Sequence, residues 1–138
     1  GGLDRLGDQL TRYGRPVGVA FQLRDDILGA FGDSAVTGKP VGDDLREGKP
    51  TPLLATARDL ASPAQALILE RAGDAEMSPQ DLADVQEAMV ATGAVDAIES
   101  EIAELTDEAM VALTDMDLVG GASEALADLA NFVAFREH

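Results

Sequence analysis

The chain has 138 residues and a formal net charge of −16, contains no cysteine, and has a single histidine as its last residue. This composition excludes disulfides and thiolate metal sites, and it argues against nucleic-acid binding, which needs clusters of Lys and Arg. No apolar run approaches the roughly 18 residues of a membrane span and no secretory signal is visible, so a cytoplasmic protein without stable membrane insertion is expected. The charge is uneven, because residues 1–71 hold nine basic and ten acidic residues, whereas residues 72–138 hold one basic and sixteen acidic residues.

The first two predicted elements are a long helix and a loop. Apolar residues recur through residues 3–31 with a helical period, and Pro16 is expected to kink this helix or divide it in two. The following segment, residues 32–49, contains four glycines and Pro40 and has no sustained periodicity. It is therefore predicted to be a loop.

Further helices are predicted beyond the loop. One is expected over about residues 51–60, after which Ser62 and Ser78 each stand before a proline, the favoured order for an N-cap. Gly73 and Gly93 are predicted to end the two helices that these serines begin. Residues 94–116 carry apolar side chains on one face, and Ser123 is expected to cap a last helix. The predicted fold class is an all-α helical bundle.

The stretch FQLRDDILGAFGDSAVTGKPVGDDLREGKP, residues 21–50, brings carboxylates and lysines together. On a helix, Gln22 and Asp25 share one face, and Asp26 lies about 100 degrees round. Two neighbouring carboxylates repel each other, so each favours a cation. In a chain without cysteine that cation is expected to be hard, and Mg²⁺ suits oxygen ligands best. A solvated pair of aspartates at a helix end is the alternative interpretation.

Lys39 and Lys49, the lysines of the chain, both lie in the glycine-rich segment that follows the aspartate pair. Glycines allow the backbone to approach a ligand closely, and lysine is a good point-charge partner for phosphate. Carboxylates for Mg²⁺ together with two lysines indicate a site for a diphosphate group. A P-loop is excluded, because Pro40 stands where that motif needs Ser or Thr to bind the metal. An EF-hand is excluded because the ligand pattern of its loop is missing.

The stretch YGRPVGVAFQLRDDILGAFGDSAVTGKPVGDDLREGKPTPLL resembles the second aspartate-rich region of the trans-isoprenyl diphosphate synthases, the polyprenyl synthetase family, and is geranylgeranyl diphosphate synthase-like. The matching elements are Phe21-Gln22, Asp25-Asp26, Gly32-Asp33, Thr37-Gly38-Lys39 and the run DLREGK at 44–49. The third aspartate of the family's DDxxD motif falls at Gly29. The family's first aspartate-rich motif has no counterpart here. The resemblance therefore implies that residues 1–138 are the C-terminal part of one polyprenyl synthetase domain, with the all-α isoprenoid (terpenoid) synthase fold.

The resemblance implies an Mg²⁺-dependent trans-prenyltransferase, which condenses an allylic prenyl diphosphate with isopentenyl diphosphate to give a longer trans-polyprenyl diphosphate. Asp25 and Asp26 would hold Mg²⁺, and Lys39 and Lys49 would bind the allylic diphosphate. The other implied substrate-binding residues are Phe21, Gln22 and Thr37, and the implied catalytic residues are Lys39 and Gln22, with Gln22 near the developing cation. Asp43 and Asp44 are interpreted as loop caps or lysine partners rather than as metal ligands.

Two interpretations of the whole chain follow. In the first, the chain is a fragment of such a transferase, inactive alone, whose full-length form is a homodimer. In the second, the chain is complete and is a non-catalytic helical subunit that binds a diphosphate or a partner protein. A DDxxD motif upstream of Gly1 would favour the enzyme.

Overall fold

Every regular element in the described part of the chain is an α-helix. The computed structural model describes residues 2–32, 42–115 and 121–135. The helices, in chain order, are α1 (Gly2–Phe31), α2 (Asp43–Glu47), α3 (Pro52–Leu60), α4 (Pro63–Leu69), α5 (Pro79–Ala91), α6 (Ala94–Thr114) and α7 (Ala122–Phe135). The all-α prediction is confirmed. Within the described ranges, no helix has both the length and the apolar character that crossing a membrane would require.

The structure corrects three details of the sequence prediction. Of the two outcomes expected for Pro16, division of the helix is wrong, because α1 runs unbroken from Gly2 to Phe31, and a kink stays a prediction. The short helix α2 lies within the segment that was predicted to be a loop, and it is too short for an apolar period to reveal it. The last helix begins at Ala122, so Ser123 lies in its first turn. The Ala125 N–H donates to the Gly121 carbonyl at 3.0 Å, which places the helix start before Ser123.

The serine caps predicted for α4 and α5 are confirmed. The Ser62 hydroxyl accepts from the Gln65 N–H at 3.2 Å, and the Gln65 side chain accepts from the Ser62 N–H at 2.9 Å. Ser78 and Asp81 form the same reciprocal pair at 3.0 and 3.3 Å. Each pair satisfies two backbone donors that a helix leaves unpaired at its start, so both starts are defined by local sequence.

The chain divides into two compact units. The first contains the described residues of 1–24 and 100–136, and the second contains residues of 25–99. Tyr13 anchors the core of the first unit, where it is 5% exposed and packs with Leu113 and Ala130. Its hydroxyl donates to the Leu126 carbonyl at 2.6 Å. Tyr13 is therefore a core residue of the first unit.

The second unit holds the end of α1 and helices α2 to α5. Its fully buried side chains, each less than 2% exposed, include Leu53, Leu54, Leu69, Val85 and Met89. The Gln86 side chain donates to the Ala30 carbonyl at 2.7 Å, which ties α5 to the end of α1. The Gly73 N–H donates to the Leu45 carbonyl at 2.8 Å and holds α2 in the same unit. This packing brings the aspartate pair and the segment 42–49 into one unit.

Candidate functional site

The aspartate pair at the end of α1 lies in two different environments. Asp25 is exposed, whereas Asp26 is half-buried. Burial raises the pKa of the Asp26 carboxyl above its ordinary value of 3.8; the Lys49 ammonium lowers this pKa, and the carboxylates of Asp25 and Asp44 raise it further. The net shift is upward, so the folded chain disfavours the ionised form of Asp26. A bound cation would favour that form.

Lys49 follows α2 and is turned back toward it. Gly48 has φ 67°, a left-handed conformation that glycine adopts without a steric penalty, and it caps the C-terminus of α2. The turn allows the Lys49 N–H to donate to the Asp44 carbonyl at 3.1 Å. It also places Lys49 Nζ 3.9 Å from Asp44 Oδ2. The interpretation of Asp44 as a lysine partner is therefore confirmed.

The alternative interpretation, that Asp43 and Asp44 are caps, is wrong. The N-cap of α2 is Gly42, which makes no side-chain capping bond, and both aspartates lie inside the first turn of the helix. The carboxylates of Asp43, Asp44 and Glu47 have oxygen atoms that all lie within 4.8 Å of one another. Negative charge is thus concentrated on α2 beside Lys49.

The Asp44 carboxylate fills the space above Gly29. A Cβ atom added at Gly29 would lie 2.8 Å from the carboxyl carbon of Asp44 and would also meet its Oδ2. Carbon atoms are not tolerated at that separation, so any side chain at position 29 requires Asp44 to move. The contact was missed by sequence reasoning, because nothing local to either residue signals that the two segments touch.

Comparison with known proteins identifies the family. The polyprenyl synthetase family model matches residues 2–91, which is more than half of the chain. The chain belongs to the polyprenyl synthetase family.

Three relatives show how much of such a protein the chain covers. It is 41% identical over 104 residues to an octaprenyl diphosphate synthase of Escherichia coli, an alignment that covers 75% of this chain and 32% of that protein. It is similar to a crystal structure of geranylgeranyl pyrophosphate synthase from Corynebacterium glutamicum complexed with isoprenyl diphosphate and magnesium, with 44% identity and a TM-score of 0.86 over 94% of this chain and 37% of that one.

A polyprenyl synthase from Caulobacter crescentus, complexed with calcium and isoprenyl diphosphate, is also similar. It is 37% identical, with a TM-score of 0.82 over 95% of this chain and 40% of that chain. The chain therefore spans between 32% and 40% of the length of these three relatives. The crystal structures from Corynebacterium glutamicum and Caulobacter crescentus each hold a divalent cation together with an isoprenyl diphosphate.

The donor atoms in this polyprenyl synthetase chain suit a hard divalent cation. Asp25 and Asp26 offer only carboxylate oxygens. Oxygen ligands are those that Mg²⁺ and Ca²⁺ prefer. Burial is the main cause of the raised pKa of Asp26, and a bound cation would favour its ionised form.

The structure brings some of the predicted site residues together. Asp25, Asp26 and Lys49 belong to the second unit, and Lys49 is close enough to Asp26 to lower its pKa. Phe21 and Gln22 are exposed on α1 and belong to the first unit. Thr37 and Lys39 lie outside the described residues. The roles of all seven predicted site residues, including Asp25, Asp26 and Lys49, stay predictions.

Proposed function

We propose that the chain forms the C-terminal part of one domain of a trans-prenyltransferase. The enzyme joins an allylic prenyl diphosphate to isopentenyl diphosphate and releases a longer trans-polyprenyl diphosphate. Membership of the polyprenyl synthetase family supports the reaction class. The likeness to the geranylgeranyl pyrophosphate synthase of Corynebacterium glutamicum supports a product of the geranylgeranyl type. A homodimer and a cytoplasmic location belong to the same proposal.

One observation carries the proposal: an exposed ammonium stands within a group of carboxylates from two segments. The Lys49 side chain is 48% exposed, and its partner Asp44 is 11% exposed. Lys49 also acts on the half-buried Asp26 of α1. Carboxylates that need a cation, next to a lysine that is open to solvent, are suited to an anion that arrives with its own metal ion.

The chemistry explains why such a site is needed. The allylic C–O bond breaks, and the diphosphate leaves with the electron pair. The double bond of isopentenyl diphosphate then supplies the pair for the new C–C bond, and a proton is lost from the resulting cation. The difficult part is the negative charge that grows on the leaving diphosphate. The ammonium groups of Lys49 and Lys39 would be in place before the bond breaks, and they would stabilise that charge as it grows.

Asp25 and Asp26 would hold Mg²⁺ in this site. When bound, the ion supplies positive charge to the diphosphate oxygens and orients the leaving group. Phe21, Gln22 and Thr37 would contact substrate, and Gln22 would face the developing allylic cation with its amide oxygen. Lys39 and Gln22 are the residues to which the proposal gives catalytic roles.

The proposal is tested by incorporation of radiolabelled isopentenyl diphosphate into butanol-extractable product, with farnesyl diphosphate and Mg²⁺. The protein is extended N-terminally to include a first DDxxD motif, and the 138-residue chain is assayed alongside it. We expect activity from the extended protein only, because the leaving group must be held from both sides. Asp25→Asn and Lys49→Ala in the extended protein should each lower turnover by roughly 100-fold, the usual loss for one transition-state contact.

Two matched substitutions control for surface charge. Asp59→Asn and Arg58→Ala remove one exposed charge of each sign from α3, in the same unit. Both variants should keep full turnover. If the extended protein is active and Asp25→Asn matches Asp59→Asn, the metal site is misplaced. Binding of a diphosphate by the short chain, with no incorporation by the extended protein, would favour a non-catalytic subunit instead.

A further inference from the structure

Asp44 is an unexpected neighbour for a lysine that binds a diphosphate. A carboxylate next to an anion site repels the anion, and Asp44 stands with Asp43 and Glu47 in a group of three. By charge alone, the chain would bind a diphosphate better without Asp44. Its position therefore needs a reason other than attraction for the ligand.

The Asp44 carboxylate occupies the space over Gly29. It lies against Gly29 of α1, at the distance where a Cβ atom would collide with its carboxyl carbon. Its side chain is 11% exposed, so it is largely shielded from solvent. Gly29 stands where the family's motif has its third aspartate. In this chain that position provides space for a carboxylate that comes from α2.

Lys49 is tied to Asp44 at two points. Its backbone N–H donates to the Asp44 carbonyl at 3.1 Å, and its Nζ lies 3.9 Å from Asp44 Oδ2. The second distance is longer than a hydrogen bond, so the attraction between the side chains is electrostatic. A free lysine side chain explores many rotamers, and ordering it on binding costs free energy. A buried carboxylate beside it reduces that cost in advance.

We infer that Asp44 is a positioning residue: seated on Gly29, it holds the Lys49 ammonium in the orientation that receives the diphosphate. The inference rests on the proposed function, because it assumes that Lys49 binds a diphosphate. It adds two residues to the site, Asp44 and Gly29, neither of which contacts the substrate in the proposal. It also explains why a side chain is absent at position 29.

The test measures binding of inorganic pyrophosphate with Mg²⁺ to the 138-residue chain by calorimetry. Charge alone and positioning predict opposite signs for Asp44→Asn. If only charge matters, removing the carboxylate strengthens pyrophosphate binding. If Asp44 positions Lys49, the variant weakens binding by roughly two- to tenfold, the cost of ordering one long side chain. Asp43→Asn, on the same helix, is the matched control and should strengthen binding slightly.

A double-mutant cycle separates positioning from a general structural effect. In a Lys49→Ala background, Asp44→Asn should no longer weaken binding, because there is no ammonium to hold. An equal loss with and without Lys49 would overturn the inference, since it would show that Asp44 supports the local fold. Helical content by circular dichroism is recorded for each variant.

Substitution of Gly29 tests the inference independently of Asp44→Asn. Gly29→Ala should displace the Asp44 carboxylate and weaken binding as Asp44→Asn does. Combined with Asp44→Ala, which empties the space, Gly29→Ala should cause no further loss. If Gly29→Ala weakens pyrophosphate binding in the Asp44→Ala background as much as it does alone, the inferred role of Gly29 in placing Asp44 is wrong.

A measurement without ligand distinguishes failure of the inference from failure of the proposed function. The chain has two lysines, so the ¹⁵N signal of the Lys49 ammonium is assigned with Lys39→Arg. Asp44→Asn should raise the mobility of Lys49 Nζ, and unchanged mobility would overturn the inference alone. If the unmodified chain binds no pyrophosphate, the same calorimetric series is run on the N-terminally extended protein. If Lys49→Ala and Asp25→Asn leave the affinity unchanged, the proposed site fails and the inference fails with it.

Discussion

At the scale of single residues, the ionised carboxylate of Asp26, in the proposed ligand site, lowers the stability of the folded chain. Its pKa is raised by burial and by neighbouring carboxylates, and the attraction of Lys49 does not cancel these effects. Folding therefore favours the protonated carboxyl. The stabilising contribution is fully present below the ordinary pKa of 3.8 and is lost as pH rises through the higher folded-state value. At neutral pH the folded chain carries an ionised group that it disfavours.

Asp26→Asn is accordingly expected to raise the melting temperature of the chain at neutral pH. The gain should disappear below pH 3.8, where the native carboxyl is protonated in both the folded and the unfolded state. Thermal unfolding followed by circular dichroism at a series of pH values measures both effects. Asp59→Asn, an exposed aspartate in the same unit, should show neither.

The same variant should respond less to ligand. Pyrophosphate with Mg²⁺ is expected to raise the melting temperature of the unmodified chain, because a ligand that binds the folded state stabilises it. In Asp26→Asn this rise should be smaller, since one carboxylate for the metal ion is gone. A variant that is more stable and yet responds fully to ligand would remove Asp26 from the proposed metal site.

At the scale of elements, the position of the site depends on helices with locally defined ends. The start of α5 is defined by Ser78 and Asp81, and α5 carries Val85 and Met89 into the core of the second unit. From the same helix, the Gln86 side chain donates to the Ala30 carbonyl, one helical turn beyond Asp26. Removal of the Ser78 cap is therefore expected to destabilise the unit that contains Asp26 and Lys49.

Ser78→Ala should lower the free energy of unfolding by about 1 kcal/mol, the usual value of an N-cap side chain. Urea unfolding at equilibrium measures the change. Ser100→Ala is the control, because Ser100 is exposed in the interior of α6, where alanine is the better helix former. Equal effects of the two substitutions would show that the capping box contributes nothing to stability.

At the scale of the whole molecule, α7 is apolar on more than one face. Ala130, Val133 and Ala134 are buried, whereas Leu129 and Phe132 are 47% and 60% exposed. A helix that is apolar all round is normally covered on all sides. The 138-residue chain spans only a part of the length of its relatives, so we expect these exposed side chains to drive association when it is studied by itself.

Sedimentation velocity should therefore show concentration-dependent association of the chain, which Leu129→Gln with Phe132→Gln reduces. Leu67→Gln is the matched control, because Leu67 is 66% exposed on α4 of the second unit. It should leave association unchanged. A monodisperse monomer at all concentrations, with no binding of a hydrophobic dye, would contradict the expectation.

Local patterns in the sequence determined much of this protein. The helical period predicted the all-α class, and two serines before prolines predicted the starts of α4 and α5. The motif elements of residues 21–49 resemble those of the polyprenyl synthetase family, to which the chain belongs. These features depend on residues a few positions apart, where backbone geometry and capping chemistry act directly.

Tertiary structure decided which charged residues from different segments meet. The pairing of Lys49 with Asp44 is local, because the left-handed Gly48 turns Lys49 back over α2, but the neighbour that α1 gives to Asp44 is not. The position of the Asp44 carboxylate over Gly29 depends on the contact between α2 and the end of α1, which no local sequence pattern encodes. The upward shift of the Asp26 pKa has the same origin, because burial and charges from another segment act only after the chain has folded.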